Sequence, residues 1–510
     1  MVDLEVSTTK DGEHRPFGKH RALWEGVFAV AALALTVPLW FASYPPLQDF
    51  PQHVAAVRVI HDLNTPEFAF RNFFEVDWSR TQYLSVYLCA HLLAYAFGVI
   101  LACKLLLAAI LVALPYSLRS VLKAHGHPEC YALLCLPLSY NVHFVLGFLN
   151  FLAAIPLFFW GVSAAVRYRT KPNVFGALLL GVLALLLFYT HVIPFVMLLG
   201  AVFGLALQRD VRRLAAALLP VVPALVALAF WMFRSPAGRI VMGASTAEAP
   251  RPAEYATVTQ NLRDLSRWLL DVVPGSSDET VLLIWVALFF TAVLLGNSIH
   301  GARSAPLLGR WIWLLPATAL GYFFAPVAYD WIWPINGRFP ILMLLLGIVL
   351  MPRLSLWPKR VLSLGALGLE AVSVVTVSRA FAESESESRG LHSMIAQIPK
   401  GERVAGLIFR STSRALNFNV FLHSVAWYQA ERGGAVMFSF VDFPQSPVRF
   451  LAASRPPKVF PRWEYRPDLV HPRTELGWYS YVISREGPGE LPGLTLVAQD
   501  GPWRLWQTAP

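Results

Sequence analysis

The chain carries a series of apolar segments long enough to cross a lipid bilayer, and this feature limits its fold more than any other. A transmembrane helix needs roughly 20 mostly apolar residues. Segments of this kind lie at 22–42, 99–118, 131–147, 150–166, 173–190, 194–208, 214–232, 281–298, 311–328, 339–351 and 360–378. Apolar residues make up 56% of the chain and charged residues only 15%, a balance typical of polytopic membrane proteins. We therefore predict an all-α membrane domain with about 11 spans.

The distribution of Lys and Arg decides how a further apolar segment, 83–97, is placed. Cytoplasmic loops of membrane proteins carry an excess of Lys and Arg. If 83–97 crossed the membrane, the basic clusters that follow it would face outward. These clusters comprise Arg119, Lys123, Arg167, Arg169, Lys171, Arg209, Arg212 and Arg213. We therefore predict that 83–97 lies along the outer surface, with the N-terminus in the cytoplasm and the C-terminus outside it.

The net charge of +10 is interpreted as a topology signal rather than as the sign of a nucleic-acid partner. Lys and Arg fall in short groups between apolar segments, as they do in membrane proteins that follow the positive-inside rule. The predicted surroundings of the chain are membrane lipids, and no nucleic-acid partner is expected.

The tail of the chain differs from the membrane region in pattern. It follows a charged stretch, "ESESESRG" at 383–390, which is interpreted as a break. The segments at 478–484 and 494–507 alternate as strands do, with a turn predicted at 499–501. We predict a membrane domain over 1–380, with a large outer loop at 43–98, and a small extracytoplasmic α/β domain over 381–510.

The first outer loop begins with "YPPLQDFPQHVAAVRVIHDL" at 44–63. Its prolines prevent the first helix from continuing, and the apolar spacing after Pro51 predicts a short amphipathic helix on the membrane surface. Asp49 lies just before that helix, where a carboxylate would act as a general base toward an acceptor hydroxyl. The alternative is that Asp49 only caps the helix. His53, one turn further, would bind Asp49 or a substrate phosphate; its alternative is a solvated surface residue.

A second acidic pair, Glu75 and Asp77, occurs later in the same loop. Strand alternation would put both carboxylates on one side, within reach of a shared divalent cation. The alternative is that Arg71 and Arg80 pair with them at the surface. The sequence leaves a metal unassigned.

Near the end of the membrane region, "INGRFPILMLLLG" at 335–347 places Arg338 at the mouth of a span. Its planar donor fork matches a phosphate and stays charged at any relevant pH. Asn336, two positions earlier, is a second candidate for binding substrate. The alternative for Arg338 is anchoring in an aromatic belt beside Trp331 and Trp333.

These features together resemble the GT-C superfamily of membrane glycosyltransferases. "PPLQDFPQH" (45–53) occupies the place of that superfamily's acidic first outer loop, so the catalytic role would carry over to Asp49. "QYLSVYLCAHLLAYAFG" (82–98) is similar to the surface helix of its aminoarabinose and protein mannosyl transferases. "NGRFPILMLLLG" is similar to their Arg-Tyr entry into a late span, with Phe339 in place of Tyr. "YPPLQDFPQH" and "LGFLNFLAAIPL" also resemble a group of bacterial membrane proteins.

The resemblance implies an inverting enzyme of the inner (cytoplasmic) membrane. It would transfer a sugar from a polyprenyl-phosphate donor to an envelope glycan, lipid or protein acceptor at the outer face, with Arg338 near the lipid-linked phosphate. No cofactor is certain, and a divalent cation stays open. The alternatives are a transporter or flippase of lipid-linked saccharides and a noncatalytic envelope assembly protein.

Overall fold

The computed structural model describes residues 17–243, 253–296, 305–457 and 464–508. The N-terminal end, which was predicted to be cytoplasmic, lies outside the described residues. The described α-helices are α1 (Phe17–Ala34), α2 (Phe50–Asp62), α3 (Leu84–Phe97), α4 (Val99–Ala124), α5 (Val142–Val145), α6 (Leu149–Thr170), α7 (Val174–Phe188), α8 (Val192–Ala206), α9 (Val211–Leu218), α10 (Val222–Arg234), α11 (Pro236–Val241), α12 (Val258–Asp264), α13 (Arg267–Leu270), α14 (Ser277–Leu295), α15 (Ala305–Leu308), α16 (Leu314–Phe324), α17 (Phe339–Val349), α18 (Leu356–Gln397), α19 (Ala426–Arg432) and α20 (Pro472–Glu475).

Apolar helices dominate the part of the chain before residue 380. Among the described residues, five helical stretches are long and apolar enough to cross a membrane: α4, α6, the continuous stretch of α9 and α10, α14 and α18. Shorter apolar helices, among them α3, α7, α8, α16 and α17, pack around them. The chain is thus an integral membrane protein, as the sequence predicted.

Several helices begin at residues whose side chains satisfy the free N–H groups of the first turn. Asn173 accepts a hydrogen bond from the Gly176 amide at the start of α7. Thr257 and Gln260 form a reciprocal capping box at the start of α12. These local signals fix where the helices start, and apolar packing then holds them together.

The predicted span at 131–147 is not a continuous helix, and this part of the prediction is wrong. It consists of a 3-10 helix (Glu129–Cys135), a run of turns and the short helix α5. Residues 131–147 are all buried. Irregular backbone is tolerated at membrane depth where protein surrounds it, so hydrophobicity alone could not distinguish this segment from a spanning helix.

The charged stretch at 383–390 is not a break but lies in the C-terminal half of α18, which runs for 42 residues and is about 63 Å long. The predicted domain boundary at 380/381 therefore falls inside a helix. Glu387 in this stretch is buried against Arg485, with an Nη2–Oε2 distance of 2.6 Å. Because the partner lies far away in the sequence, the acidic repeat looked solvent-exposed.

The tail contains the predicted small sheet domain. Its strands are β2 (Arg403–Ile408), β3 (Ala435–Val436), β5 (Tyr481–Arg485), β6 (Leu494–Asp500) and β7 (Trp503–Thr508), in the order β3-β2-β5-β7-β6. The first three pair in parallel and the last two pairings are antiparallel. Alternate residues of β5 pack on opposite faces: Ile483 joins the main core and Val482 a smaller outer core. Strand β5 is therefore covered on both faces, whereas the edge strand β6 is mostly exposed.

The loop at 43–98 and the tail fold against each other. A short strand of the loop, β1 (Phe74–Val76), pairs with β4 (Val448–Phe450) of the tail. The Gln52 side chain in α2 donates to the Phe438 carbonyl and accepts from the Phe440 amide, at 2.8 and 3.1 Å. Helix α2, predicted to lie on the membrane surface, is consequently covered by the tail, and most of its residues are buried.

Candidate functional site

A cavity of about 240 Å³ lies where the first outer loop, the helix ends of the membrane domain and the tail meet. The N-cap residues of several helices line it: Asp49 for α2, Tyr83 for α3, Phe148 for α6, His191 for α8 and Arg338 for α17. The N-terminal end of a helix carries a partial positive charge and free N–H groups. Such ends favour a negatively charged group, so the cavity is suited to an anion.

The backbone of Asp49 is held by the turn that follows α5. The Asp49 amide donates to the Leu146 carbonyl at 3.0 Å. Gly147 adopts a left-handed conformation with φ 73°, and a Cβ atom there would lie 2.8 Å from the Phe50 nitrogen. Only glycine fits this close approach without displacing the start of α2.

The Asp49 side chain does not cap α2, although Asp49 is the N-cap residue. The capping alternative is therefore wrong. The carboxylate is buried, with 9% of the residue exposed. Its Oδ1 atom lies 3.3 Å from Nε2 of His423 and accepts a long hydrogen bond of 3.4 Å from the Gln48 side chain. The carboxylate is thus engaged by side chains and borders the cavity.

His423 comes from the tail, just before α19, and lies between two carboxylates. Its Nδ1 atom is 2.9 Å from Oε1 of Glu464. The N–H bond does not point at this oxygen, so the contact is an ion pair without a hydrogen bond. Burial disfavours the charged imidazole, but Glu464 and Asp49 outweigh it and raise the pKa of His423 to about 10. His423 is therefore an imidazolium at neutral pH.

Sequence reasoning missed both His423 and Glu464. Neither residue stands in a recognisable motif, and both lie far from Asp49 in the chain. The one local signal is the single histidine in the apolar segment "NVFLHSVAWY" at 419–428. It indicates a buried histidine but not its partners.

His53 also lines the cavity, on the first turn of α2. Its Nδ1 atom is 3.0 Å from the Tyr87 hydroxyl, and its ring packs edge-to-face on Phe440. Only 6% of the residue is exposed, so the alternative of a solvated surface histidine is wrong. Burial lowers the pKa of His53 to about 4 despite the nearby Asp49 carboxylate. His53 is therefore neutral at pH 7.

Arg338 lines the same cavity and is 8% exposed. Its guanidinium lies over the rings of Phe148 and Phe151, at 5.4 and 5.8 Å. Among the described residues, no carboxylate lies within 4.0 Å of it, and its buried Nε atom has no hydrogen-bond partner there. A buried cation is stable when an anion accompanies it, so this guanidinium is placed to receive one from a ligand.

The surroundings of Arg338 are rigid. The imidazole Nε2 of His143 lies 3.0 Å from the Gly337 carbonyl oxygen. A Cβ atom on Gly337 would lie 2.6 Å from the Trp268 ring. The aromatic residues Trp331 and Trp333 also line the cavity. Arg338 is buried beside them rather than exposed in a surface belt.

The remaining predicted site residues do not line the cavity. Asn336 is buried and donates to Asn261 Oδ1 at 3.0 Å, a contact that joins α12 to the 3-10 turn before α17. Glu75 pairs with Arg449 at 2.8 Å, and Asp77 accepts hydrogen bonds from Ser79. The partners of these three residues therefore lie outside the cavity. The two acids do not form the predicted pairs with Arg71 and Arg80 but make these contacts instead. In the described ranges, no group of three or more His, Cys, Asp or Glu residues is arranged to hold a metal ion.

No protein-family model and no curated protein matches the sequence. Solved structures do match the fold. The crystal structure of apo ArnT from Cupriavidus metallidurans aligns with a TM-score of 0.53 and 11% identity, over 96% of this chain and 100% of that one. The crystal structure of the same protein bound to undecaprenyl phosphate aligns with a TM-score of 0.50 and 12% identity, over 96% and 99%. The chain therefore has the fold of ArnT, a GT-C glycosyltransferase.

Proposed function

We propose that this chain, which has an ArnT-like GT-C fold, transfers a sugar from a polyprenyl-phosphate donor to an envelope glycan, lipid or protein acceptor. One observation carries the proposal: a buried carboxylate, Asp49, and a buried guanidinium without a carboxylate partner among the described residues, Arg338, line a single cavity. The reaction needs a base for the acceptor and a cation for the departing phosphate, and these two residues supply them.

Arg338 binds the donor phosphate. The N-terminal ends of the surrounding helices add positive potential at the same place, and the fork of the guanidinium matches phosphate oxygens. ArnT was crystallised with undecaprenyl phosphate, and this chain would bind a lipid of the same kind. The polyprenyl tail stays among the apolar helices while the phosphate and the sugar enter the cavity.

Asp49 removes the proton from an acceptor hydroxyl as its oxygen attacks the anomeric carbon of the donor. The bond between that carbon and the phosphate oxygen breaks, and its electron pair leaves with the polyprenyl phosphate. The transition state has oxocarbenium character, and a single displacement inverts the anomeric centre. Arg338 stabilises the negative charge that collects on the phosphate, at a site of low dielectric constant.

His53 contributes a neutral imidazole to the cavity wall. We place it beside Asp49 as a hydrogen-bonding contact for a substrate hydroxyl. Asn336, Glu75 and Asp77 are not part of this proposal, because each is bound to other residues outside the cavity. The described cavity residues supply a group for each step of the proposed reaction.

The orientation in the inner membrane follows from the same proposal. The cavity and the tail would face outward, where acceptors of the envelope are found. The basic clusters after α4, α6 and α8 then face the cytoplasm, in agreement with the positive-inside rule.

A transfer assay tests the proposal against its rivals. Purified protein in liposomes is incubated with undecaprenyl phosphate that carries a radiolabelled hexose, pentose or amino sugar, together with extracted envelope lipids and glycans. We expect label to become covalently attached to an acceptor. Movement of intact donor across the bilayer without covalent transfer would instead identify a flippase, and the absence of both would favour an assembly protein.

A further inference from the structure

We propose that His423 of the tail is a positioning residue, which holds the Asp49 carboxylate in the orientation needed for proton abstraction by bridging it to Glu464. This inference rests on the proposed function and adds a role for the extracytoplasmic domain. The membrane domain would supply the base and the phosphate-binding cation, and the tail would supply the group that orients the base.

The geometry of the bridge is fixed on every side. The two ring nitrogens of His423 contact different carboxylates, Asp49 at 3.3 Å and Glu464 at 2.9 Å. The ring packs edge-to-face on Phe440, with centroids 5.4 Å apart. Because imidazole is rigid, a carboxylate that shifts and keeps its contact must move the ring against Phe440. The bridge therefore limits how far the Asp49 side chain can rotate.

The backbone that carries His423 is tied to the helix that carries Asp49. The His423 carbonyl accepts from the Ala426 amide at the start of α19. Helix α19 packs on α2, where Arg58 donates to the Ala430 carbonyl at 2.7 Å. His423 and Asp49 thus belong to one packed unit, although one comes from the tail and the other from the first outer loop.

The charge of His423 shows whether this residue can act as a general base or only as a positioning residue. The ionisable groups that face it are Asp49 and Glu464, together with the neutral His53. With a pKa of about 10, His423 already carries its second ring proton at neutral pH. It cannot accept a further proton from an acceptor hydroxyl, which leaves that step to a carboxylate, Asp49 in the proposed mechanism. His423 acts on the reaction through Asp49.

Kinetic measurements on full-length variants test this role. We expect His423→Ala to lower kcat by about 100-fold, as misplacement of a catalytic group does, while the Kd for undecaprenyl phosphate stays within twofold. His423→Gln retains an N–H donor near the Nε2 position and should recover part of kcat. His471→Ala, which removes an exposed histidine of the same domain, is the matched control and should behave as wild type. A wild-type kcat in folded His423→Ala would overturn the proposal.

A second measurement does not depend on activity. In protein labelled with ¹⁵N-histidine, the signal absent from His423→Gln identifies His423. We expect it to remain an imidazolium until about pH 10 in the wild type and to deprotonate at lower pH in Asp49→Asn and Glu464→Gln. A neutral His423 at pH 7 would refute the bridge even if His423→Ala failed to fold.

The two proposals fail in different ways. If no donor supports transfer by the wild type, or if Asp49→Asn retains full transfer, the proposed function is wrong. If the wild type transfers sugar and Asp49→Asn does not, but His423→Ala is fully active, only the positioning role is wrong.

Discussion

Asp49 in the first outer loop and His423 in the tail form a buried ion pair, with 3.3 Å between Oδ1 and Nε2. The pair joins the loop that follows the first apolar helix to a domain encoded more than three hundred residues later. The candidate base is therefore incomplete until the tail has folded onto α2. In this molecule the C-terminal domain forms a wall of the site.

Asp49→Asn should reduce sugar transfer by at least about 100-fold, because an amide cannot take the proton of the acceptor hydroxyl. The side chain keeps its size, so expression and melting temperature should change little. Asp62→Asn is the matched control: Asp62 ends the same helix and pairs with Arg58 away from the cavity. Initial rates of label transfer check the prediction, and equal rates for the two variants would contradict it.

Arg338→Ala should weaken binding of undecaprenyl phosphate by about 10-fold or more, the value of a lost charge-assisted hydrogen bond. Arg338→Lys keeps the charge but not the fork and should bind with intermediate affinity. Arg239→Ala removes an exposed arginine of α11 and serves as the control. Titration of the detergent-solubilised protein with the lipid gives the Kd values. An unchanged Kd in Arg338→Ala would show that Arg338 does not bind the phosphate of the lipid.

Gly147→Ala should impair activity by displacing Asp49. The new methyl group would lie 2.8 Å from the Phe50 nitrogen and 3.0 Å from the Asp49 nitrogen. Gly98→Ala is a matched control, because Gly98 has a similar φ of 71° and no atom within 4 Å of the added carbon. Both variants carry the strain of an alanine at positive φ, about 1–3 kcal/mol. We compare kcat at equal fractions of folded protein, so that a loss of stability does not affect the result. Under this condition only Gly147→Ala should show a lower kcat for sugar transfer.

Local sequence patterns predicted much of the architecture. The apolar segments, the prolines after the first of them and the alternation near the C-terminus gave the membrane region, the start of α2 and the sheet of the tail. Asp49, His53 and Arg338 stood out as polar groups beside apolar segments, and all three line the cavity. Such patterns can be recognised because they depend on residues that are close together in the sequence.

What the sequence did not reveal depends on partners that are distant in the chain. Glu387 of the acidic repeat has its partner in Arg485, and the segment at 131–147 can be irregular because protein surrounds it. Likewise, His423 acquires its charge from Asp49 and Glu464. The roles of these residues could therefore not be predicted from the sequence alone.

The bridge at His423 should make stability depend on pH. A histidine has a pKa of about 6.5 in an unfolded chain, and folding raises that of His423 to about 10. Its contribution to stability is complete below about pH 6.5 and is lost as the pH rises through about 10. The melting temperature of the wild type should therefore fall more steeply between pH 7 and 10 than that of His423→Gln. Parallel curves for the two proteins would contradict the prediction.

Glu387 and Arg485 should hold the end of α18 to the sheet of the tail. Their ion pair is buried, and Arg485 also donates to the Thr412 carbonyl at 2.9 Å. Glu387→Gln leaves a buried guanidinium uncompensated and should lower stability by about 3 kcal/mol. Glu486→Gln removes the partner of Arg410 in a pair that is about two-fifths exposed, and should cost about 0.5 kcal/mol. Hydrogen exchange of the β5 and β7 amides in the full-length protein measures both effects, and similar protection in the two variants would show that the buried pair does not anchor the tail.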